Sequence, residues 1–97
     1  MIQRGLDTSV TIRETEKIFK ALANRRRLAV VRYLQKESVA TVGDIAHEIP
    51  LSFKATSKHL GILFAANIVE REQVSLNMNY RLVQPLHSVT KTALSLI

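Results

Sequence analysis

Cysteine and tryptophan are absent from these 97 residues, and acidic side chains number 8 against 14 lysines and arginines. Without cysteine there can be no disulfide, no thiolate metal site and no thiol-based sulfur or redox switch. No apolar run approaches the ~20 residues of a membrane span, and the basic residues are scattered along the chain, which disfavours a membrane surface as partner. The opening MIQRGLDTSV lacks the apolar core of a signal peptide, so a cytoplasmic protein is expected. Also missing are paired carboxylates flanking a histidine, a glycine-rich phosphate loop and enough chain for a walled cleft. No enzymatic activity and no cofactor are therefore expected.

What the chain does have is positive charge. The formal balance is +6, which suits a polyanionic partner. No repeat, linker or low-complexity run divides the sequence, so a single domain over 1–97 is predicted. A chain of this size buries only about 60–65% of its unfolded surface, so a partner subunit would help it.

The organising stretch is 41–67, TVGDIAHEIPLSFKATSKHLGILFAAN. Thr41 and Asp44 have the spacing of a capping box, and Ile45 and Ile49 give a short helix its apolar stripe. Pro50 breaks that helix. Ser52 then caps a second helix, predicted over 52–67, on which Phe53, Thr56, Leu60, Leu63 and Phe64 face a core. Its other face carries Lys54, Ser57, Lys58 and Gly61, flanked by Ala55 and His59. No Asp or Glu occurs from Ile49 through Val69. Such a pair suits insertion into the DNA major groove. It equally suits a helical hairpin in a small bundle whose charged face is merely solvated.

Met1 to Val10 reads as an irregular arm. Thr11 and Glu14 form a second capping pattern that opens a helix to about Ala23, with Ile12, Ile18, Phe19 and Leu22 largely on one side. Asn24 caps a third segment, Arg25 to about Gln35, apolar on two sides and so central to the fold. Arg25, Arg26 and Arg27 crowd its first turn, where the macrodipole disfavours cations by roughly 0.3–1 kcal/mol each. A phosphate backbone would compensate them; so would water together with a nearby carboxylate. Val74, Leu76, Met78, Tyr80 and Leu82 alternate with polar residues and predict a strand, paired with Ile68 to about Gln73 in a β-hairpin whose tip lies within 73–77. Pro85 is expected to open a last helix, with Leu86, Val89, Ala93, Leu94 and Ile97 as its apolar stripe. The fold class is thus mainly α with a small β-hairpin.

Three segments together resemble one family. IFKALANRRRLAVVRYL (18–34) is similar to the opening signature of the ArsR-type winged helix-turn-helix regulators. LSFKATSKHLGILFAANIV resembles their recognition helix, with Ser57-Lys58-His59-Leu60 in place of its Ser-x-His-Leu-like element, and NYRLV resembles the close of their wing. The resemblance spans roughly 12–97. It implies a winged helix-turn-helix that dimerises through helices at 12–23 and 85–97 and represses transcription from a palindromic double-stranded DNA operator. By role, Lys54, Ala55, Ser57, Lys58 and His59 are candidates for base or phosphate contact, and Arg25 and Arg26 for phosphate. Ile12, Phe19, Leu86, Val89, Ala93, Leu94 and Ile97 are candidates for the homodimer interface.

The departures from the family are chemical. Where many members carry paired cysteines as metal ligands, this chain has Thr41 and Gly43. Where others ligate metal on the last helix, it has Gln84 and Leu86, which cannot serve. His47 and His87 each lack the partners of a zinc site, so no metal sensing is expected, and the sequence names no effector. The wing is also poor in Arg and Gly; Arg71, between Glu70 and Glu72, is its candidate DNA contact. The apolar Val74 and Leu76 near the tip suggest a competing role, a winged-helix module that binds protein and has no operator of its own.

Overall fold

A computed structural model describes residues 8–97, with side-chain environments from Thr11 onward. Five helices and three short strands follow in the order α1 (Thr8–Leu22), α2 (Arg25–Glu37), β1 (Ala40–Thr41), α3 (Val42–Glu48), α4 (Phe53–Ala65), β2 (Val69–Val74), β3 (Asn77–Leu82) and α5 (Ser88–Ser95). This is the winged helix-turn-helix arrangement.

The predicted caps at the three inner helix starts form. Asn24 Oδ1 accepts from the backbone N–H groups of Arg26 and Arg27, at 3.0 and 3.1 Å. Thr41 Oγ1 accepts from Asp44 N–H while the Asp44 carboxylate accepts from Thr41 N–H, a complete capping box. Ser52 Oγ accepts from Ala55 N–H. Each such cap contributes about 1 kcal/mol. With Ile49 as its C-cap and Pro50 following, α3 is held to two turns.

Helix α4 ends two residues earlier than predicted, in a Schellman motif. Asn67 takes a left-handed φ of 58°, its N–H donating to Phe64 O, and Ile68 N–H donates to Leu63 O. Leu63 and Ile68 are both buried, which closes the motif with an apolar contact and aims the chain into β2.

The hairpin pairs β2 with β3 antiparallel, from Val69 opposite Leu82 to Val74 opposite Asn77. Ser75 and Leu76 form its tip, with Ser75 at φ 58°. Val74 therefore belongs to the first strand, not the second. Alternation buries Tyr80 and Leu82 but leaves Val74 and Leu76 exposed, because the strands outrun the helices beneath them. No residue pattern announces β1, a two-residue strand that pairs Ala40 with Tyr80 and Thr41 with Asn79, making the sheet three-stranded in the order β1-β3-β2.

Both outer helices differ from expectation. Thr8 to Val10 are helical, so Thr11 lies inside α1, where its carbonyl accepts from the Thr15 hydroxyl; the expected arm to Asp7 lies outside the described residues. Helix α2 runs on to Glu37. Pro85 does not open α5. The helix starts at Ser88, with His87 as N-cap, its Nδ1 accepting from Val89 N–H at 3.1 Å, and it stops at Ser95. The core runs through all layers: Ile18 and Leu22 of α1, Val30, Val31 and Leu34 of α2, Ile45 of α3, Leu60 and Leu63 of α4, Tyr80 and Leu82 of the sheet, and Leu94 of α5.

Candidate nucleic-acid interface

Helix α4 is seated by Thr56, Leu60 and Leu63, all fully buried. The Thr56 hydroxyl donates to Ser52 O at 2.9 Å, so its burial leaves no unpaired group. Helical spacing then turns Lys54, Lys58 and Gly61 fully outward, with Ala55, Ser57 and His59 half-buried at the flanks. Phe53 and Phe64, expected in the core, are 64% and 37% exposed. Phe53 precedes the buried stripe by one turn, and Phe64 lies at its edge, its ring facing the Arg71 guanidinium of β2.

The start of α2 lies against this helix. The Arg27 guanidinium donates through Nε to Ala21 O at 2.6 Å, through one terminal nitrogen to Lys20 O at 3.5 Å, and through the other to His59 Nδ1 at 3.3 Å. Its charge thus lies at the carbonyl end of α1, where the helix dipole favours a cation. Arg25 and Arg26 stay exposed, and among the described residues they form no salt bridge; nor do Lys54 and Lys58. Burial and the like charges of Arg27, Arg26 and Lys58 together push the His59 imidazole below its ordinary pKa. Arg26 and Arg27 of α2 and Lys58 of α4 therefore all act on His59. Arg27 was the member that sequence reasoning did not single out, although the unusual arginine run was its signal.

The wing is close to neutral. Arg81 donates to Glu70 at 2.7 Å and to Glu72 at 3.4 Å, which spends both carboxylates, and these partners raise the guanidinium pKa. Arg71 stacks over Phe64, 4.0 Å from the ring centroid.

An apolar groove of about 410 Å³ runs between the end of α1, the start of α2 and α5, lined by Phe19, Leu22, Leu28, Val89, Ala93 and Leu96 among others. Phe19 also borders a second apolar hollow that includes Ile12. Of the predicted interface residues, Ile12, Phe19, Val89 and Ala93 meet there. Leu94 is buried in its own core, Leu86 lines a separate hollow against Leu34, and Ile97 follows α5 at the chain end. Leu96, 79% exposed, was missed because it lies off the predicted stripe.

The family's metal positions do not fit a metal. Thr41 Oγ1 is spent capping α3, and Gly43 has no side chain to offer. Gln84 and Leu86 offer no ligating pair, and the neighbouring His87 has Nδ1 engaged at its own helix start. Among the described residues no three His, Cys, Asp or Glu side chains cluster, and no helix is long and apolar enough to cross a membrane.

Comparison with known proteins agrees with this geometry. Residues 24–71, from the Asn24 cap through the helix-turn-helix into β2, match the model of the bacterial regulatory proteins of the arsR family. Over 60 residues the chain is 40% identical to the nodulation protein NolR of Rhizobium meliloti, covering 62% of this chain and 48% of that one. It spans about half the length of the curated relatives it matches. The crystal structure of NolR from Sinorhizobium fredii superposes with a TM-score of 0.77 at 28% identity, over 99% of this chain and 93% of that one. The homodimeric winged helix-turn-helix DNA-binding domain of Mb0332 from Mycobacterium bovis shares the fold, with a TM-score of 0.79 at 22% identity over 99% and 85% of the two chains. The chain belongs to the arsR family of bacterial regulatory proteins, and its fold is their winged helix-turn-helix.

Proposed function

We propose that this chain is a dimeric, sequence-specific DNA-binding repressor that places α4 in the major groove. The observation that carries the reading is the set of exposed cations Lys54 and Lys58 on α4 and Arg25 and Arg26 at the start of α2, without salt bridges among the described residues, the lysines in a stretch with no acid from Ile49 through Val69. Lys54 and Lys58 reach phosphates or guanine edges, Ser57 and His59 hydrogen-bond to base edges or phosphate, and Ala55 meets a thymine methyl. Arg25 and Arg26 fix the register on phosphate. Arg71 is the wing's contact: stacking on Phe64 occupies the face of its guanidinium and leaves the in-plane N–H donors for a phosphate oxygen.

The dimer forms over the groove around Phe19, Val89, Ala93 and Leu96, with Ile12 extending it. The homodimeric state of the Mb0332 domain, which shares the fold, supports this. Two α4 helices then sit about one DNA turn, ~34 Å, apart and favour a palindromic operator. The residues at the family's metal positions support a regulator that does not sense metal, and the function is regulatory, not enzymatic. We read residues 1–97 as one such domain, acting in the cytoplasm.

Selection of bound sequences from a random DNA pool tests this, an enriched palindrome being the expected result. One observation favours a second reading: Leu76 at the wing tip is 96% exposed, as suits a protein-binding module. Salt separates the two. Binding through phosphates weakens with a slope of about −0.9 per phosphate neutralised, whereas apolar docking holds.

A further inference from the structure

One contact joins the start of α2 to α4 through side chains. Arg27 and His59 are 32 residues apart in sequence and 3.3 Å apart in space. An arginine guanidinium donates only, so His59 Nδ1 must accept, and the ring proton of the neutral imidazole must then sit on Nε2. Nε2 has no partner among the described residues and is not a buried unpartnered atom, so it reaches the surface. Arg27 is itself held by the carbonyls of Lys20 and Ala21 at the end of α1, the helix that borders the apolar groove.

We infer that Arg27 is a positioning residue that fixes the His59 tautomer, so that α4 presents a hydrogen-bond donor at Nε2 and selects an acceptor on DNA, a purine N7 or O6 or a phosphate oxygen. This rests on the DNA-binding reading for its ligand but not for its geometry. Without Arg27 the ring exchanges tautomers and can meet either a donor or an acceptor; with it, an exposed donor such as the cytosine or adenine amino group is refused. The same arginine ties the orientation of the reading helix to the end of α1, next to the proposed dimer contact.

The free protein tests the geometry. In a long-range ¹H–¹⁵N spectrum near neutral pH, His59 is expected to show a protonated Nε2 and an unprotonated Nδ1. In Arg27→Lys, which keeps the charge but loses the planar fork, the two nitrogens are expected to move towards tautomer averaging while the rest of the spectrum stays folded. A wild-type His59 protonated at Nδ1, or an unchanged His59 signal in Arg27→Lys, overturns the inference.

Operator titration tests the consequence on surface variants that spare the core. His59→Gln keeps an amide donor where Nε2 stood and is expected to bind nearly as the wild type. His59→Asn has an amide that stops at the Nδ1 position; it is expected to lose about tenfold, as for one good polar contact. Equal losses, or the reverse order, contradict a donor at Nε2. Operators carrying a 7-deazapurine or a single methylphosphonate identify the acceptor: the wild type loses affinity on one of them, and His59→Asn loses nothing further there. Should the wild type select no DNA while the tautomer behaves as stated, the functional reading fails and the Arg27–His59 geometry stands.

Discussion

The Arg71 guanidinium lies 4.0 Å from the centroid of the Phe64 ring, which joins the first strand of the wing to the last turn of α4. An exposed contact of this kind stabilises by about 0.5–1 kcal/mol. Arg71→Ala is expected to lower stability by no more than that and to make the salt slope of operator binding shallower by about 0.9, one phosphate contact. Phe64→Leu keeps the charge but releases its orientation, so it should weaken binding while leaving the slope nearly unchanged. Chemical denaturation and salt-dependent titration read both; an unchanged slope in Arg71→Ala removes the wing from the interface.

Gly61 lies on the outward side of α4, and a Cβ built there meets nothing within 4 Å. Gly61→Ala should therefore stabilise the free protein by up to about 1 kcal/mol through helix propensity. If the helix backbone approaches DNA at this position, the same methyl lowers operator affinity several-fold. A melting curve and a titration on one preparation measure both. A stabilised variant that binds as well as the wild type places Gly61 away from the duplex.

How much of this was legible in the sequence depends on what each element needs. Asn24, Thr41 and Ser52 were readable as caps because a cap is a local contract between a side chain and the N–H groups two or three residues on. Helix ends set by tertiary contact were not. Pro85 carries a helix-start signal, yet His87 supplies the cap, because the chain must first leave β3 and cross to α1. Phe53 fits the apolar period of α4 but lies a turn before its buried stripe, and Phe64 lies at that stripe's edge, against Arg71 of the wing. The outward cations were legible from the absence of acids across 49–69. Arg27's bonds to α1 carbonyls and to His59 were not, since no sequence pattern announces a pairing across 32 residues.

The groove beside α5 gives a prediction about assembly. Phe19 is 57% exposed in the single chain, so a charge there costs the monomer core little. Phe19→Glu should convert the dimer to a folded monomer in sedimentation experiments, with far-ultraviolet circular dichroism retained. Operator affinity should fall as the second half-site is lost. A Phe19→Glu protein that remains dimeric places the contact elsewhere.

The pH dependence follows from His59. Its folded pKa lies below the ordinary 6.5, through burial first and then Arg27, Arg26 and Lys58. Between the folded and unfolded values the unfolded chain binds more protons, so stability contributed here is fully present above about pH 6.5 and declines as pH falls towards the folded value. His59→Gln should flatten that part of the stability curve measured by denaturation between pH 7.5 and 5. A curve identical to the wild type's shows that His59 is not held neutral by its neighbours.

The outward lysines of α4 carry the functional reading, and one titration puts them at risk. The selected operator is titrated with wild type and with the Lys54→Ala, Lys58→Ala double variant over a range of salt. Both positions are solvent-exposed, so fold and dimer should survive. The expected result is a loss of affinity of about 1–3 kcal/mol per lost base contact or, for phosphate contacts, a slope shallower by up to about 1.8. Unchanged affinity and an unchanged slope would show that DNA is bound elsewhere on the molecule, or not at all.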